Sequence, residues 1–294
     1  MKKAERERHW KALADTASAP LDDGRPAGGR CRSEPMAGRA FGLERAGSLR
    51  LDACGSEPGP QSNRLPQDWH VHPTVVSILD PRSAVAEQYR AARTWLLRRE
   101  TAGKHSAVAI TSSVPREGKS VTTANLAAVM AEVRHMQVLA VDCDFRQGSL
   151  SRLFNLPRSP GLSDVLVGRA ALDEAIHPTP LGNLAFLPAG EAGDLNPTEL
   201  LNSITASRIF DEIRERFHFS LVDTPPVHWL SDIGVIGALC SGIVLVVRMN
   251  KTASHLVRQS VHWLQANHLD VLGCIAADCR VRGARYEYTD SEDE

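Results

Sequence analysis

The sequence has little of what marks a secreted, membrane-spanning or nucleic-acid-binding protein. Its six cysteines are scattered and mostly lie in apolar runs, which favours reduced thiols over a disulfide framework. The formal net charge of -1 provides no field to attract nucleic acid, so no nucleic-acid partner is expected. The charged N-terminus lacks the apolar core of a signal peptide, and the uncharged apolar stretch from Ile233 to Val247 is too short to span a bilayer. These absences predict a cytoplasmic location.

Composition divides the chain into three parts. Residues 1–70 are rich in Arg, Gly, Pro, Ser and Ala, show no regular period between Pro20 and Pro66, and are predicted to be disordered. Residues 71–282 form the predicted folded domain. The last residues, 283–294, are acidic and aperiodic, and this predicted disordered tail holds two of the chain's three tyrosines, Tyr286 and Tyr288.

Apolar strands alternate with helices in the predicted domain. The stretch from His72 to Asp80 is predicted to be extended, and Ser83 can cap the first helix. The predicted strands are 106–111, 138–142, 184–188, 219–223, 242–248 and 270–276. The predicted helices are 83–98, 119–134, 162–177 with a break at Gly168, 196–217, 231–240 and 254–267. This alternation indicates the α/β class, a parallel-rich sheet flanked by helices on both faces, with ligands bound beyond the carboxyl ends of the strands.

A phosphate-binding loop is predicted where the first of these strands meets a helix. Amide groups at a helix N-terminus favour an anion, and in this layout Lys119 would reach the β- and γ-phosphates while the Ser120 hydroxyl would hold Mg²⁺. The loop departs from the usual motif because Ser113 replaces its first glycine, so an ordinary turn with a chance Gly-Lys-Ser remains an alternative. The predicted nucleotide-binding residues are Ser113, Pro115, Arg116, Glu117, Gly118, Lys119, Ser120 and Val121.

Carboxylates end two other predicted strands. Asp142 and Asp144 follow the run that begins at Val138, and Asp223 ends the run that begins at Phe219. Carboxylates at the end of a buried strand are costly unless they meet a cation, and Mg²⁺ beside bound phosphates would supply one. A solvated strand end is the alternative for each site alone. Together with the loop, the two acidic ends predict nucleotide and Mg²⁺ binding.

The combination of these motifs resembles the bacterial tyrosine kinases, a P-loop NTPase family. The resemblance rests on the strand ends V-D-C-D-F-R and V-D-T-P-P, the segment Leu187 to Gly190, and the helical motif Glu87-x-x-Arg90-x-x-Arg93, and it covers roughly residues 80–285. It implies ATP-dependent autophosphorylation on tyrosine in the control of exopolysaccharide or capsule polymerisation and export.

The resemblance also implies roles by position. Lys119 and Asp142 would be catalytic, with Asp142 accepting the tyrosine proton, and Ser120, Asp144 and Asp223 would bind Mg²⁺. Arg146 would orient the acidic strand end or touch phosphate. The phosphoacceptors would be Tyr286 and Tyr288, and the residues of oligomerisation would be Glu87, Arg90 and Arg93.

The partners implied are of three kinds. They are a ring-like homo-oligomer of the chain itself, a separate membrane-embedded chain-length regulator that activates it, and a tyrosine phosphatase. The chain would then be cytoplasmic and held peripherally at the inner membrane through that regulator.

The resemblance is imperfect at the loop and leaves two other functions open. Arg116 stands where the family usually has glycine, and a positive φ there would strain the backbone. A non-kinase ATPase switch of the partitioning or positioning class is one alternative, although that class carries a second lysine where this chain has Val114. A degenerate nucleotide-binding adaptor is the other.

Overall fold

The computed structural model describes residues 69–99, 106–193, 196–228 and 232–279. The predicted N-terminal segment before Trp69 lies outside the described residues, and so does the predicted tail with Tyr286 and Tyr288. Within the described ranges the helices are α1 (Val76–Leu79), α2 (Ala84–Arg99), α3 (Lys119–Ala131), α4 (Ser149–Phe154), α5 (Leu162–Leu166), α6 (Leu172–Ala175), α7 (Pro197–Leu201), α8 (Ile204–Arg216), α9 (Asp232–Leu239) and α10 (Ser254–Ala266). The strands are β1 (Ser106–Ser112), β2 (Val138–Asp142), β3 (His177–Pro178), β4 (Leu184–Leu187), β5 (Phe219–Asp223), β6 (Gly242–Arg248) and β7 (Val271–Ala277).

The strands form one seven-stranded sheet in the order β3-β4-β2-β5-β1-β6-β7. Every pairing is parallel except that of β3 with β4. Strands β1, β2 and β5 are buried along their whole length, as expected for parallel strands covered on both faces. The predicted α/β class and the parallel-rich sheet are therefore confirmed.

Alternate residues of β2 supply the two faces of the core. Val138 and Ala140 belong to the cluster packed with α3, whereas Leu139 and Val141 belong to the cluster packed with α8. This alternation follows from the two-residue period of a strand, which sends successive side chains to opposite faces. The sheet is thus a middle layer between helices, and its carboxyl edge is left for the loops that carry the polar motifs.

Several local predictions need correction. The stretch predicted as extended from His72 to Asp80 contains the helical turn α1, and the predicted helix 196–217 is two helices, because Ser203 caps α8 by accepting a hydrogen bond from Ala206 N at 3.1 Å. Helix α4 and strand β3 were not predicted at all. The break at Gly168 is confirmed, with φ of 73° between α5 and α6, and so is the Ser83 cap, which accepts from Ala86 N at 3.2 Å.

None of the helices in the described ranges is long and apolar enough to cross a membrane.

Candidate nucleotide-binding site

The phosphate loop joins β1, which lies next to the central strand β5, to α3. Gly118 precedes the helix with φ of 95°, a left-handed conformation that glycine adopts without steric cost. No side chain of the described residues caps the helix there. The first amide groups of α3 therefore face the loop without a side-chain acceptor, which is the arrangement that binds an anion.

Arg116 also has a left-handed backbone, with φ of 65°. A positive φ at Arg116 was the condition for backbone strain given from the sequence, and the structure shows it. The left-handed conformation costs a residue other than glycine about 1–2 kcal/mol. The Arg116 side chain is exposed, while its carbonyl accepts a hydrogen bond from Arg248 Nη1 at 3.3 Å. The loop is thus anchored to the end of β6 at its strained residue.

The buried side chain of Glu117 fixes the conformation of the phosphate loop. Its buried carboxylate accepts hydrogen bonds from Val114 N at 2.9 Å and from Arg248 N at 3.4 Å, and it also accepts from the Thr252 hydroxyl. The side chain of this predicted nucleotide-binding residue therefore braces the loop against the segment that follows β6. Only its backbone remains to face a phosphate.

Ser113, which replaces the first glycine of the motif, is buried, and its carbonyl accepts from His228 N at 3.3 Å. Among the described residues its hydroxyl has no hydrogen-bond partner. A buried hydroxyl without a partner is costly, so this oxygen is available to a bound group.

Pro115 lies in the turn of the loop, and Val121 and Gly118 line a cleft of about 990 Å³ beside it.

The cleft lies between α2, the phosphate loop and the carboxyl end of β7. Its walls are mostly apolar and include Tyr89 and Trp95 from α2 together with Ile275 and Ala277 from β7. Sequence reasoning missed the two aromatic residues because α2 precedes the loop by some twenty residues and shares no motif with it. A mostly apolar cleft with a few polar groups is the usual form of a small-molecule site.

Lys119 lies at the centre of the acidic strand ends. Its Nζ is 2.9 Å from Asp144 Oδ2 and 3.3 Å from Asp223 Oδ2, and all three side chains are buried. Burial alone would lower the pKa of Lys119, but the carboxylates of Asp223 and Asp144 raise it above its ordinary value. The lysine is therefore charged and offsets part of the negative charge of the carboxylates around it.

Asp142 and Asp223 occupy paired positions on the neighbouring strands β2 and β5. Burial and then the charge of Asp223 raise the pKa of Asp142 to about 8. Burial also raises the pKa of Asp223, although Lys119 and Ser120 oppose that shift. Both oxygens of Asp142 are engaged, because Oδ1 accepts from Asp144 N and Oδ2 from Leu150 N, each at 3.0 Å.

Oxygen atoms suited to Mg²⁺ lie beside Lys119. The Ser120 hydroxyl donates to Asp223 Oδ2 at 2.5 Å, while the other Asp223 oxygen, Oδ1, is buried and has no hydrogen-bond partner among the described residues. The described ranges contain no group of three or more His, Cys, Asp or Glu side chains placed to hold a metal by themselves. A hydroxyl and one or two carboxylates, completed by phosphate oxygens and water, are nevertheless the usual protein share of a Mg²⁺ site, and these residues fit it.

The predicted oligomerisation residues lie together on α2, but they are paired within the chain. Arg90 contacts Glu132 at 2.6 Å and Glu87 at 2.5 Å, and Arg93 contacts Glu132 at 2.8 Å. Burial would raise the pKa of Glu132, but Arg90 and Arg93 hold it below its usual value. Sequence reasoning missed Glu132, since a glutamate at the end of α3 carries no motif.

The fold and this site define a P-loop nucleotide-binding protein. Residues 108–266 match the AAA domain family. Tyrosine-protein kinase YwqD of Bacillus subtilis is 31% identical over 68% of this chain and 84% of its own length. Tyrosine-protein kinase wzc of Salmonella typhimurium is 28% identical over 72% of this chain and 29% of its own length. The solved kinase domain of Escherichia coli tyrosine kinase ETK is 26% identical, with a TM-score of 0.65 over 71% of this chain and 83% of that one.

The chain accordingly belongs to the bacterial tyrosine-protein kinase family, as the sequence motifs predicted. It spans less than a third of the length of several relatives that it matches, wzc among them.

Proposed function

We propose that the chain is an ATP-dependent protein-tyrosine kinase that phosphorylates its own tail on Tyr286 and Tyr288. The observation that carries the proposal is the contact of Lys119 with both Asp144 and Asp223 at the start of α3. It brings the phosphate loop and two acidic strand ends to one point. Phosphoryl transfer depends mainly on positioning and charge stabilisation of this kind.

Each residue has a proposed role in the transfer. The amides at the start of α3 and Lys119 would hold the phosphates, and Ser120, Asp223 and Asp144 would hold Mg²⁺, which offsets charge on the transferred group. Asp142 would take the proton of the tyrosine hydroxyl as that oxygen bonds to the γ-phosphorus and ADP leaves. Asp142 can act as this base only in its ionised form, and a hydroxyl reaches its fully buried carboxylate only if the residues covering it move.

The test is mass spectrometry of the full chain after incubation with ATP and Mg²⁺. We expect phosphate on Tyr286 and Tyr288 and none on Tyr89, which is partly buried in α2. Lys119→Met should remove the modification, and Lys251→Met, at an exposed lysine outside the site, should keep it. ATP hydrolysis without any phosphotyrosine would instead support the non-kinase ATPase switch.

A degenerate nucleotide-binding adaptor is a second candidate, favoured by the strained Arg116 and by the single glycine in the loop. It predicts weak ATP binding as well as no transfer. Calorimetry that gave a micromolar dissociation constant for ATP would rule it out.

The proposed setting is the control of exopolysaccharide or capsule polymerisation and export at the inner membrane. There the chain would form a ring through Glu87, Arg90 and Arg93, and a membrane-embedded regulator would activate it while a tyrosine phosphatase reversed its modification. Co-purification with membranes in at least one nucleotide state is expected. Ring formation would require the two arginines to exchange or share their present partner, Glu132.

A further inference from the structure

Three exposed arginines lie in the stretch of chain from 146 to 158 that follows Asp144. Arg146 belongs to the turn after Asp144, Arg152 lies on α4, and Arg158 lies in the loop after α4. We call Arg146, Arg152 and Arg158 the arginine cluster. Its members come from a single stretch of chain that folds back on itself beside the acidic strand ends.

Two contacts fix the cluster next to the proposed transfer site. Arg158 Nη2 donates to Phe145 O at 3.0 Å, so its guanidinium lies against the turn itself. Leu150 N donates to Asp142 Oδ2 at 3.0 Å, which ties the start of α4 to the proposed base. Arg158 therefore lies against the turn that carries Arg146, and the helix that carries Arg152 begins beside the proposed base.

The charges of the cluster are not neutralised within the described ranges. None of its guanidinium groups forms an ion pair with a described residue; Arg152 donates to the Ser149 hydroxyl at 3.4 Å, and Arg158 donates to backbone carbonyls. The carboxylates nearest in sequence, Asp142, Asp144 and Asp164, are buried and engaged by backbone amides and by Lys119 or Arg169. A bound acidic segment would meet unpaired positive charge here.

The tail has the complementary pattern. Every charged residue after Tyr286 is acidic: Glu287, Asp290, Glu292, Asp293 and Glu294. The residues between Cys279 and Tyr286 include arginines and no acid. The tail is therefore basic before Tyr286 and acidic after it. Only the acidic residues that follow Tyr286 would be attracted to the arginine cluster.

We propose that the arginine cluster binds the acidic residues that follow the acceptor tyrosine in the tail of a second copy of this chain, and so selects tyrosines that have acids on their carboxyl side. This inference rests on the proposed kinase function. Arg146 and Arg152 would act through solvent-exposed ion pairs, and Arg158 would mainly shape the turn that presents them. Exposed pairs contribute little individually, so the expected effect is on acceptor affinity and is sensitive to salt.

The test separates enzyme and acceptor on two full-length chains. The enzyme carries Tyr286→Phe and Tyr288→Phe, and the acceptor carries Lys119→Met, so that phosphate on the tail tyrosines reports transfer between copies. One acceptor keeps its acidic tail, and a matched one has the five acids replaced by their amides. We expect kcat/KM for the amide acceptor to be roughly tenfold lower, mainly through KM, with the difference shrinking at high salt.

Charge reversal on the enzyme supplies the second arm. Arg146→Glu with Arg152→Glu should lose the preference for the acidic tail and gain one for an acceptor with Glu287→Lys and Glu292→Lys. Arg134→Glu, an exposed arginine just before β2 at the opposite edge of the sheet, is the matched control and should keep the original preference. The KM for ATP should not change in the Arg134→Glu enzyme or in an enzyme with Arg152→Glu alone.

The outcomes are distinct. Equal rates for the acidic and amide acceptors would overturn the assignment of the cluster while leaving the kinase proposal intact. A change in the KM for ATP without a change in the KM for the acceptor would do the same. Phosphorylation of the wild-type chain without any transfer to the separate acceptor would overturn it as well, because the tail would then be modified within its own copy. Absence of phosphotyrosine in the wild-type chain would count against the kinase function itself.

Discussion

At the scale of single residues, the electrostatics of the site depend on Lys119. It is the cation that contacts both Asp144 and Asp223, and all three groups are buried. A buried ion pair adds little net stability as a unit, but loss of one partner leaves buried charge without compensation. The residue proposed to bind phosphates therefore also stabilises the protein before nucleotide arrives.

Lys119→Met should consequently destabilise the nucleotide-free chain as well as abolish transfer. We expect a loss of about 3–5 kcal/mol in the free energy of unfolding, because two carboxylates lose their buried counter-charge. Urea denaturation measures it, with Lys251→Met as the control that should change little. Unchanged stability in Lys119→Met would show that the carboxylates do not need this cation in the folded state.

Arg116 gives a second prediction at this scale. Its φ of 65° costs about 1–2 kcal/mol, and glycine would avoid that cost. Glycine also raises the conformational entropy of the unfolded chain, which opposes folding by a somewhat smaller amount. Arg116→Gly should thus raise the free energy of unfolding by about 0.5–1 kcal/mol. Arg134→Gly, at a residue without positive φ, should lower it. A destabilised Arg116→Gly chain would mean that the exposed arginine side chain contributes more than its backbone costs.

At the scale of elements, α2 is held on α3 by a charged contact at the end of α3. Glu132 accepts from Arg90 and Arg93, while Arg93 also donates to the carbonyl of Val129. These groups are partly exposed, so solvent weakens each pair. The contact orients the helix that forms one wall of the cleft.

Glu132→Gln tests this contact. It removes the charge shared by two arginines, and we expect a loss of about 1 kcal/mol of stability, reduced further at high salt. Glu212→Gln is the matched control, since its carboxylate forms an exposed pair with Arg216 within α8. A loss for Glu132→Gln no larger than the control would mean that packing alone positions α2.

The elements also show how far sequence reasoning reaches. Long apolar runs bounded by polar residues predicted six strands of the sheet, because burial on both faces requires uninterrupted apolar sequence. Helix α4 was missed because it has six residues between the left-handed Gly148 and Asn155, too few to show a helical period. The split of helix 196–217 was missed because Asn202 and Ser203 interrupt it without a glycine or proline.

At the scale of the whole molecule, one topological fact explains why the site could be predicted at all. Parallel strands end at the same edge of a sheet, and β5 lies between β1 and β2, so the phosphate loop and the acidic ends meet there. Sequence could not give the pairing of Arg90 and Arg93 with Glu132, or the brace formed by Glu117. Those depend on contacts between residues distant in the chain that share no motif.

The central claim is that Lys119, Ser120, Asp144 and Asp223 form one site for ATP and Mg²⁺. Calorimetric titration of ATP into the full chain, with Mg²⁺ and with EDTA, tests it most directly when wild type is compared with Asp223→Asn. We predict that Mg²⁺ tightens ATP binding by about tenfold or more in wild type, and that the variant largely loses this effect because its oxygen toward the metal site is neutral. Equal dependence on Mg²⁺ in both chains, or no ATP binding by wild type, would contradict the account.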